Sequence, residues 1–249
     1  KFMEEPRYNW NLPMYYYTNK FLSQNNIVVT MSGDMGDELY GGYTNYLRIK
    51  NITNKPKTWD EFIHLWMRKF ASPVKLNVKF DYADLHELLK ESLPEEIWNP
   101  EDVTNSAIAL DCITTVSEDF FTRNDKFGMA FSMEGRFPLS SKKYMEYCLA
   151  INSDYKFGKN LNQTKLPVRH SYKNTLPDYI LNKPKTGWSV PITAWLNQFD
   201  SVKKNYIDIC SKEDGISQIL SKENYYGNSK KMIITWMLRS WAQEFNMSL

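Results

Sequence analysis

Apolar positions along the chain fall mostly at helical spacing, in short stripes cut by polar loops. After a proline-punctuated start, residues 14–22 read as a helix. It leads into the β-branched run at 27–31, which reads as a buried strand. A helix is expected to follow, to break near Gly41-Gly42, and to resume over 43–50. Thr58 or Asp60 can cap a helix over 59–70, with Phe62, Leu65, Trp66 and Phe70 on its apolar face. A short helix at 84–92 ends before Pro94, and Ile108, Cys112, Val116 and Phe120 form a core-facing stripe over 105–121. Further helices are expected at 127–133, 142–151, 166–175, 192–197 with Pro191 at the first helical position, and 230–245. Only one strand is strongly signalled, and a lone strand cannot satisfy its own edges. Its sheet partners are therefore weakly signalled here or belong to another polypeptide.

The strand ends in Ser32-Gly33-Asp34-Met35-Gly36-Asp37-Glu38-Leu39-Tyr40-Gly41-Gly42-Tyr43. The glycines of Ser-Gly-Asp-x-Gly allow positive φ and close approach of a ligand to the backbone. If a helix opens here, Asp34, Asp37 and Glu38 share one face of its first turn. A strand feeding a turn and a helix is where α/β proteins place ligands. Free N–H groups at the helix start can hold phosphate, and carboxylates beside them can hold magnesium. The plainer alternative is an N-capped helix with acidic residues stabilising its dipole.

Composition changes this picture little. A chain of 249 residues suffices for one large domain or two small ones. Net charge is +2 with no block of one sign, which argues against a nucleic-acid or membrane surface. Eight Trp, 16 Tyr and 13 Phe predict an aromatic core. Cys112, Cys148 and Cys210 lie far apart, as buried thiols of a reducing compartment do. His64, His86 and His170 are scattered too, so no histidine metal site is expected. No apolar run reaches bilayer-spanning length and no signal peptide is visible, so a cytoplasmic location is expected. The sequence starts at Lys1, not Met, and is expected to begin inside a longer reading frame or to be one piece of a divided protein.

Three further stretches carry chemistry. Arg123 through Pro138 is dense in charge between apolar residues, and by itself reads as a helix with i,i+4 ion pairs. Lys165 and Arg169 stand four apart, a spacing that can grip phosphate oxygens or simply face solvent. Asn182-Lys183-Pro184-Lys185-Thr186-Gly187-Trp188-Ser189-Val190-Pro191 is a basic loop suited to a lid or a connector.

In this order the pieces resemble the synthetase domain of glutamine-hydrolysing asparagine synthetases. That family carries SGxGxDExFGGY, here Ser32 to Tyr43, and RxDxxSMAxSxExRxPF, similar to Arg123 through Pro138. KxxLR is matched by Lys165 to Arg169, and LPxxIxxRPKxGFxVPIxxWL by Leu176 through Leu196. Trp236-Met237-Leu238-Arg239-Ser240-Trp241 also looks familial. Asp34 stands where many members have Glu and β-lactam-forming relatives tend to have Tyr. Ser140-Ser141 replaces the usual Leu-Asp, and Gly128 a Ser.

The resemblance implies an α/β fold, the C-terminal and mostly helical portion of a PP-loop ATP pyrophosphatase (adenine nucleotide alpha hydrolase-like) doubly wound domain. Residues 1–249 would be the second half of that synthetase domain. It implies ATP and Mg2+, activation of aspartate as β-aspartyl-adenylate, and displacement of AMP by ammonia to give asparagine. By the same resemblance Asp34 and Lys165 are catalytic, Ser32, Gly33 and Arg169 contact ATP, and Asp37 is the magnesium ligand. Glu38, Asp125 and Arg136 are candidates for positioning the substrate. The family's SGGxDS loop and glutaminase cysteine are missing from these residues, so a partner polypeptide carrying both is expected. Two alternatives remain: adenylation of another carboxylate, and a non-catalytic binding or assembly subunit.

Overall fold

The computed structural model describes residues 2–7, 9, 11–68, 82–187, 190–191, 194–195, 198–210 and 229–247. Helix α1 (Leu12–Gln24) starts with proline in its first turn, where a missing N–H costs nothing. It leads to β1 (Val29–Met31), and the chain then turns into α2 (Gly36–Leu39) and α3 (Thr44–Lys50). The break between these two helices falls at Gly41-Gly42, as the sequence predicts. Helix α4 (Trp59–Met67) opens on Thr58, whose side chain accepts from Glu61 N, and packs on α5 (Tyr82–Ser92). Lys69 and Phe70, expected at the end of α4, lie outside the described residues.

A long rod follows. Helix α6 (Val103–Asp111), capped by the Asp102 side chain, runs through a π-helical stretch (Cys112–Phe121) into α7 (Thr122–Met129). The apolar stripe at 108–120 predicts the rod but not its widened middle, where Thr122 Oγ1 donates to Ser117 O five residues back. Strand β2 (Glu134–Arg136) then pairs with β1 in parallel, Val29 opposite Glu134 and Met31 opposite Arg136. The sequence predicts helix up to 133 and no strand here. Glu-Gly-Arg has no β-branched residue and a central glycine, so its strand form comes from pairing with β1 and not from propensity.

The chain continues as α8 (Lys142–Ala150), α9 (Ser153–Lys156), α10 (Leu166–Ser171) and α11 (Asp178–Leu181). It ends in α12 (Asp200–Cys210) and α13 (Ser229–Glu244), which contact one another. The helix expected at 192–197 falls mostly outside the described residues.

Two apolar clusters hold this mostly helical α/β frame. Met35, Leu39, Tyr40, Tyr46, Ile108, Val116, Cys148 and Phe157 pack directly under the loop after β1. Trp59, Phe62, Ile63, Trp66, Ala107 and Leu110 form the second cluster. Asp111 sits at their seam, where its carboxylate accepts from Tyr46 Oη at 2.7 Å and Trp66 Nε1 at 2.8 Å. The expected aromatic core is present, and Cys112 and Cys148 are buried free thiols. The side chain of Cys210 is outside the described set.

One expectation fails. The strand at 27–31 is not buried: Val28 is 65% and Met31 76% exposed. A parallel pair this small cannot cover its own faces, and no other strand joins it among the described residues. No helix among the described residues is long and apolar enough to cross a membrane.

Candidate active site

The loop leaves β1 at its carboxyl end and folds back over the first core cluster. Gly33 is exposed, and a Cβ added there would meet nothing within 4 Å, so a ligand can approach its backbone closely. Ser32 Oγ accepts from Asp34 N at 3.3 Å, while Ser32 N donates to Arg136 O at 2.9 Å. The left-handed residue of the turn is Met35, with φ 77°, and neither Gly33 nor Gly36. Met35 fills the position that is glycine in SGxGxDE, and its side chain is fully buried. Such a conformation costs a side-chain residue about 1–3 kcal/mol, and here the packing of the core cluster offsets it.

The helix begins only after Met35 and lasts one turn, so the three carboxylates do not share a face. Asp34 stays outside the helix and accepts from Asn124 Nδ2 of α7 at 2.6 Å. Glu38 turns inward, is 2% exposed, and accepts from Tyr43 Oη. The candidate for positioning substrate is thus held within the core by Tyr43. Burial raises its pKa against that hydrogen bond.

Asp37 is the centre of the site. Lys165 Nζ lies 2.9 Å from Oδ1, and Lys185 Nζ donates to Oδ2 at 2.7 Å. Burial pushes the Asp37 carboxyl up, but the two lysines together outweigh it, and its pKa is held below the usual range. The carboxylate has room because residue 42 is glycine: an added Cβ there would stand 1.8 Å from Oδ1. Gly42 N also donates to Asp37 O at 2.7 Å. Gly41, at φ +68°, is packed against the Phe157 ring. The Gly41-Gly42 break thus serves both the backbone turn and the placing of Asp37.

Lys165 is held in an uncommon way. It is the left-handed residue before α10, at φ 56°, and its N–H donates to Tyr40 O at 3.2 Å. Strain of this kind collects at functional sites. Lys185, the lysine that matches RPKxGF in the basic loop and has no expected site role, joins Lys165 on Asp37 and lies 5.1 Å from the Tyr43 ring centroid.

Asp34 has the opposite electrostatics. Burial raises its pKa above the ordinary carboxylate range, opposed by Ser32, Arg123 and Asn124. Arg123 itself is buried, pairs with Asp119 at 3.0 Å, and lies near the rings of Tyr15 and Phe120. Asp119 lies before the stretch from Arg123 to Pro138, and among the described residues no i,i+4 ion pair falls within that stretch itself. Asn124, which sequence reasoning passed over, is the α7 residue that reaches the loop.

Other expected site residues are not brought together here. Asp125 is exposed and has no ion pair among the described residues. Arg136 is exposed and pairs with Glu134 at 2.9 Å, although its carbonyl supports Ser32. Arg169 donates to two backbone carbonyls, Thr164 O at 2.8 Å and Lys183 O at 3.3 Å. Away from the loop, the histidines expected to be scattered are partly adjacent. The His64 and His86 rings lie 5.8 Å apart beside Asp60 and Glu87, and Lys90 pairs with both carboxylates.

The donor set can be weighed against magnesium. Asp37 Oδ1 is sealed from solvent and receives no aligned hydrogen bond among the described residues. One carboxylate suffices for magnesium when phosphate oxygens and water complete the shell. Asp37 offers that carboxylate once Lys165 and Lys185 give up its oxygens, whereas Asp34 and Glu38 are engaged with Asn124 and Tyr43.

An α/β frame carrying a carboxylate between two lysines at a strand's carboxyl end fits a family defined by the same ordered motifs. Residues 1–241 match the sequence model of the asparagine synthase family, and the chain belongs to that family. A Mycobacterium tuberculosis protein provisionally named as a glutamine-hydrolysing asparagine synthetase is 24% identical over 242 residues, covering 82% of this chain and 36% of that protein. The protein called asparagine synthetase (glutamine-hydrolysing) 1 of Bacillus subtilis is 24% identical over 274 residues, covering 92% of this chain and 42% of its own length. The chain therefore spans well under half the length of these relatives.

Proposed function

We propose that this chain forms the acid- and lysine-bearing wall of a site that activates aspartate with ATP and converts it to asparagine. The observation that carries this reading is Asp37 held between Lys165 and Lys185, one turn from Asp34. Adenylation develops negative charge on phosphorus and on departing pyrophosphate, and two convergent ammonium groups answer it. In this reading the lysines exchange Asp37 for phosphate oxygens, and the exposed backbone at Ser32-Gly33 meets the nucleotide. Magnesium, when bound, supplies further charge neutralisation on the leaving pyrophosphate, with Asp37 as its protein ligand. Asp34 accepts the proton lost by ammonia as it attacks the activated carboxyl, a task suited to a carboxylate whose pKa is raised by burial. Asn124 keeps that carboxylate aimed across the turn.

The same reading accounts for the open sheet. Exposed Val28, Val29 and Met31 on a two-stranded parallel sheet call for further parallel strands and covering helices. We assign these to a polypeptide that also carries the SGGxDS loop, completing a doubly wound PP-loop domain of which residues 1–249 are the second half. A glutaminase supplying ammonia belongs with it.

The test is aspartate-dependent pyrophosphate release from ATP by this chain combined with an SGGxDS-bearing polypeptide. Release with aspartate that is lost in Asp34→Ala and Lys165→Ala supports the reading. Release with a different carboxylate overturns the substrate. Release or assembly unaffected by both substitutions assigns the chain a binding role instead. Catalysis by the isolated chain contradicts the need for a partner.

A further inference from the structure

The two lysines that meet at Asp37 come from segments far apart in local geometry. Lys165 precedes α10, and Lys185 lies in the loop beyond α11. One side chain touches the backbone of both segments. Arg169 Nε donates to the carbonyl of Thr164, immediately before Lys165, and Nη2 to the carbonyl of Lys183, two residues before Lys185. Its own N–H donates to Lys165 O at 3.0 Å within the first turn of α10. Thr164 is 1% exposed, so the first of these anchors is buried, whereas Lys183 lies at the surface. Pro184 stiffens the short path from Lys183 to Lys185 by fixing its own φ.

We infer that Arg169 is a positioning residue that brackets the two lysine segments and sets Lys165 and Lys185 on opposite oxygens of Asp37. This role stands beside the expected one of Arg169 as an ATP contact, and its functional consequence rests on the reading proposed above. A guanidinium suits the task because its rigid planar fork holds donors in fixed directions over a wider span than the compact ammonium of a lysine. Through the donors it places on these two carbonyls, the guanidinium shapes the phosphate side of the site by way of Lys185.

The test reads the loop directly. Competitive acylation of lysine amines by acetic anhydride, followed by peptide mass spectrometry, measures how firmly each Nζ is held. In the unaltered chain, Lys185 and Lys165 should react slowly. Arg169→Ala should raise Lys185 reactivity about tenfold, the scale of losing one to two net hydrogen bonds, with a smaller rise at Lys165. Arg169→Lys, able to reach one carbonyl, should restore part of the protection at one segment. Amide exchange over 182–187 should accelerate in Arg169→Ala while exchange over α6 stays unchanged, which separates loop release from general unfolding.

Unchanged Lys185 labelling in Arg169→Ala overturns the inference. So does weakened binding of inorganic triphosphate in Arg169→Ala with Lys185 labelling unchanged, since Arg169 would then contact phosphate itself. Labelling needs no substrate or turnover. Failure of aspartate-dependent pyrophosphate release would therefore sink the proposed reaction and leave the bracket standing.

Discussion

Among the described residues, two clusters of carboxylates and lysines are built in opposite ways: one carboxylate between two lysines at the loop, and one lysine between two carboxylates on α4 and α5. At the loop, Asp37 is 21% exposed and flanked by lysines that are 31% and 25% exposed. Between α4 and α5, Lys90 lies 3.2 Å from Asp60 and 2.8 Å from Glu87, with those carboxylates 57% and 56% exposed. The second group is assembled on two regular helices and asks nothing of the backbone. The first requires a glycine at 42, a left-handed Lys165 and contacts spanning most of the chain. Ion pairs of the open kind contribute little to stability and are screened by salt. Buried charge held by strained backbone is the better sign of a working site.

The comparison breaks if the two clusters respond alike. The largest expected effect is on turnover in the reconstituted enzyme. Lys185→Met or Lys165→Met should lower it roughly 10²–10³-fold, as removal of a preorganised charge partner does. Lys90→Met should leave turnover unchanged, and steady-state rates on all three variants check this. Next is Gly42→Ala, whose added methyl must displace the Asp37 carboxylate. It should destabilise the fold by about 1–3 kcal/mol, measured by urea unfolding, and lower turnover as well.

A smaller effect sharpens the contrast between Asp34 and Asp37. In the proposed reaction Asp34 is ionised to accept a proton, and burial raises its pKa, so the acid limb of the rate profile should lie above the ordinary carboxylate range. Asn124→Ala removes a hydrogen bond that lowers this pKa and should move the limb to higher pH. Asp37 has its pKa lowered and remains ionised through that window. The smallest effect is Glu87→Gln, for which no measurable change in melting midpoint is expected at 0.15 M salt.

The sequence made the loop legible because its signal is local: a β-branched run, a glycine turn, then Asp37 and Glu38. The break at Gly41-Gly42 and the long helical rod through Ile108 and Val116 were legible for the same reason. What local pattern could not show is pairing across distance. Lys185 meets Asp37 from 148 residues away, and Asn124 meets Asp34 from 90. Strand β2 was hidden because Glu134-Gly135-Arg136 carries no strand propensity without β1 beside it. The turn itself misled, since positive φ falls on Met35, where packing overrides the residue's preference. The signs of Lys185 in the sequence are a basic loop whose course is fixed by prolines and the match of its Lys-Pro-Lys step to RPKxGF.

The most direct measurement is aspartate-dependent exchange of labelled pyrophosphate into ATP by the chain combined with the SGGxDS-bearing polypeptide proposed above. Exchange in the unaltered enzyme, with loss in both Lys165→Met and Lys185→Met and persistence in Lys90→Met, is the predicted result. Exchange that survives both substitutions at the loop would contradict the assignment of Asp37 and its two lysines to the phosphate side of the site.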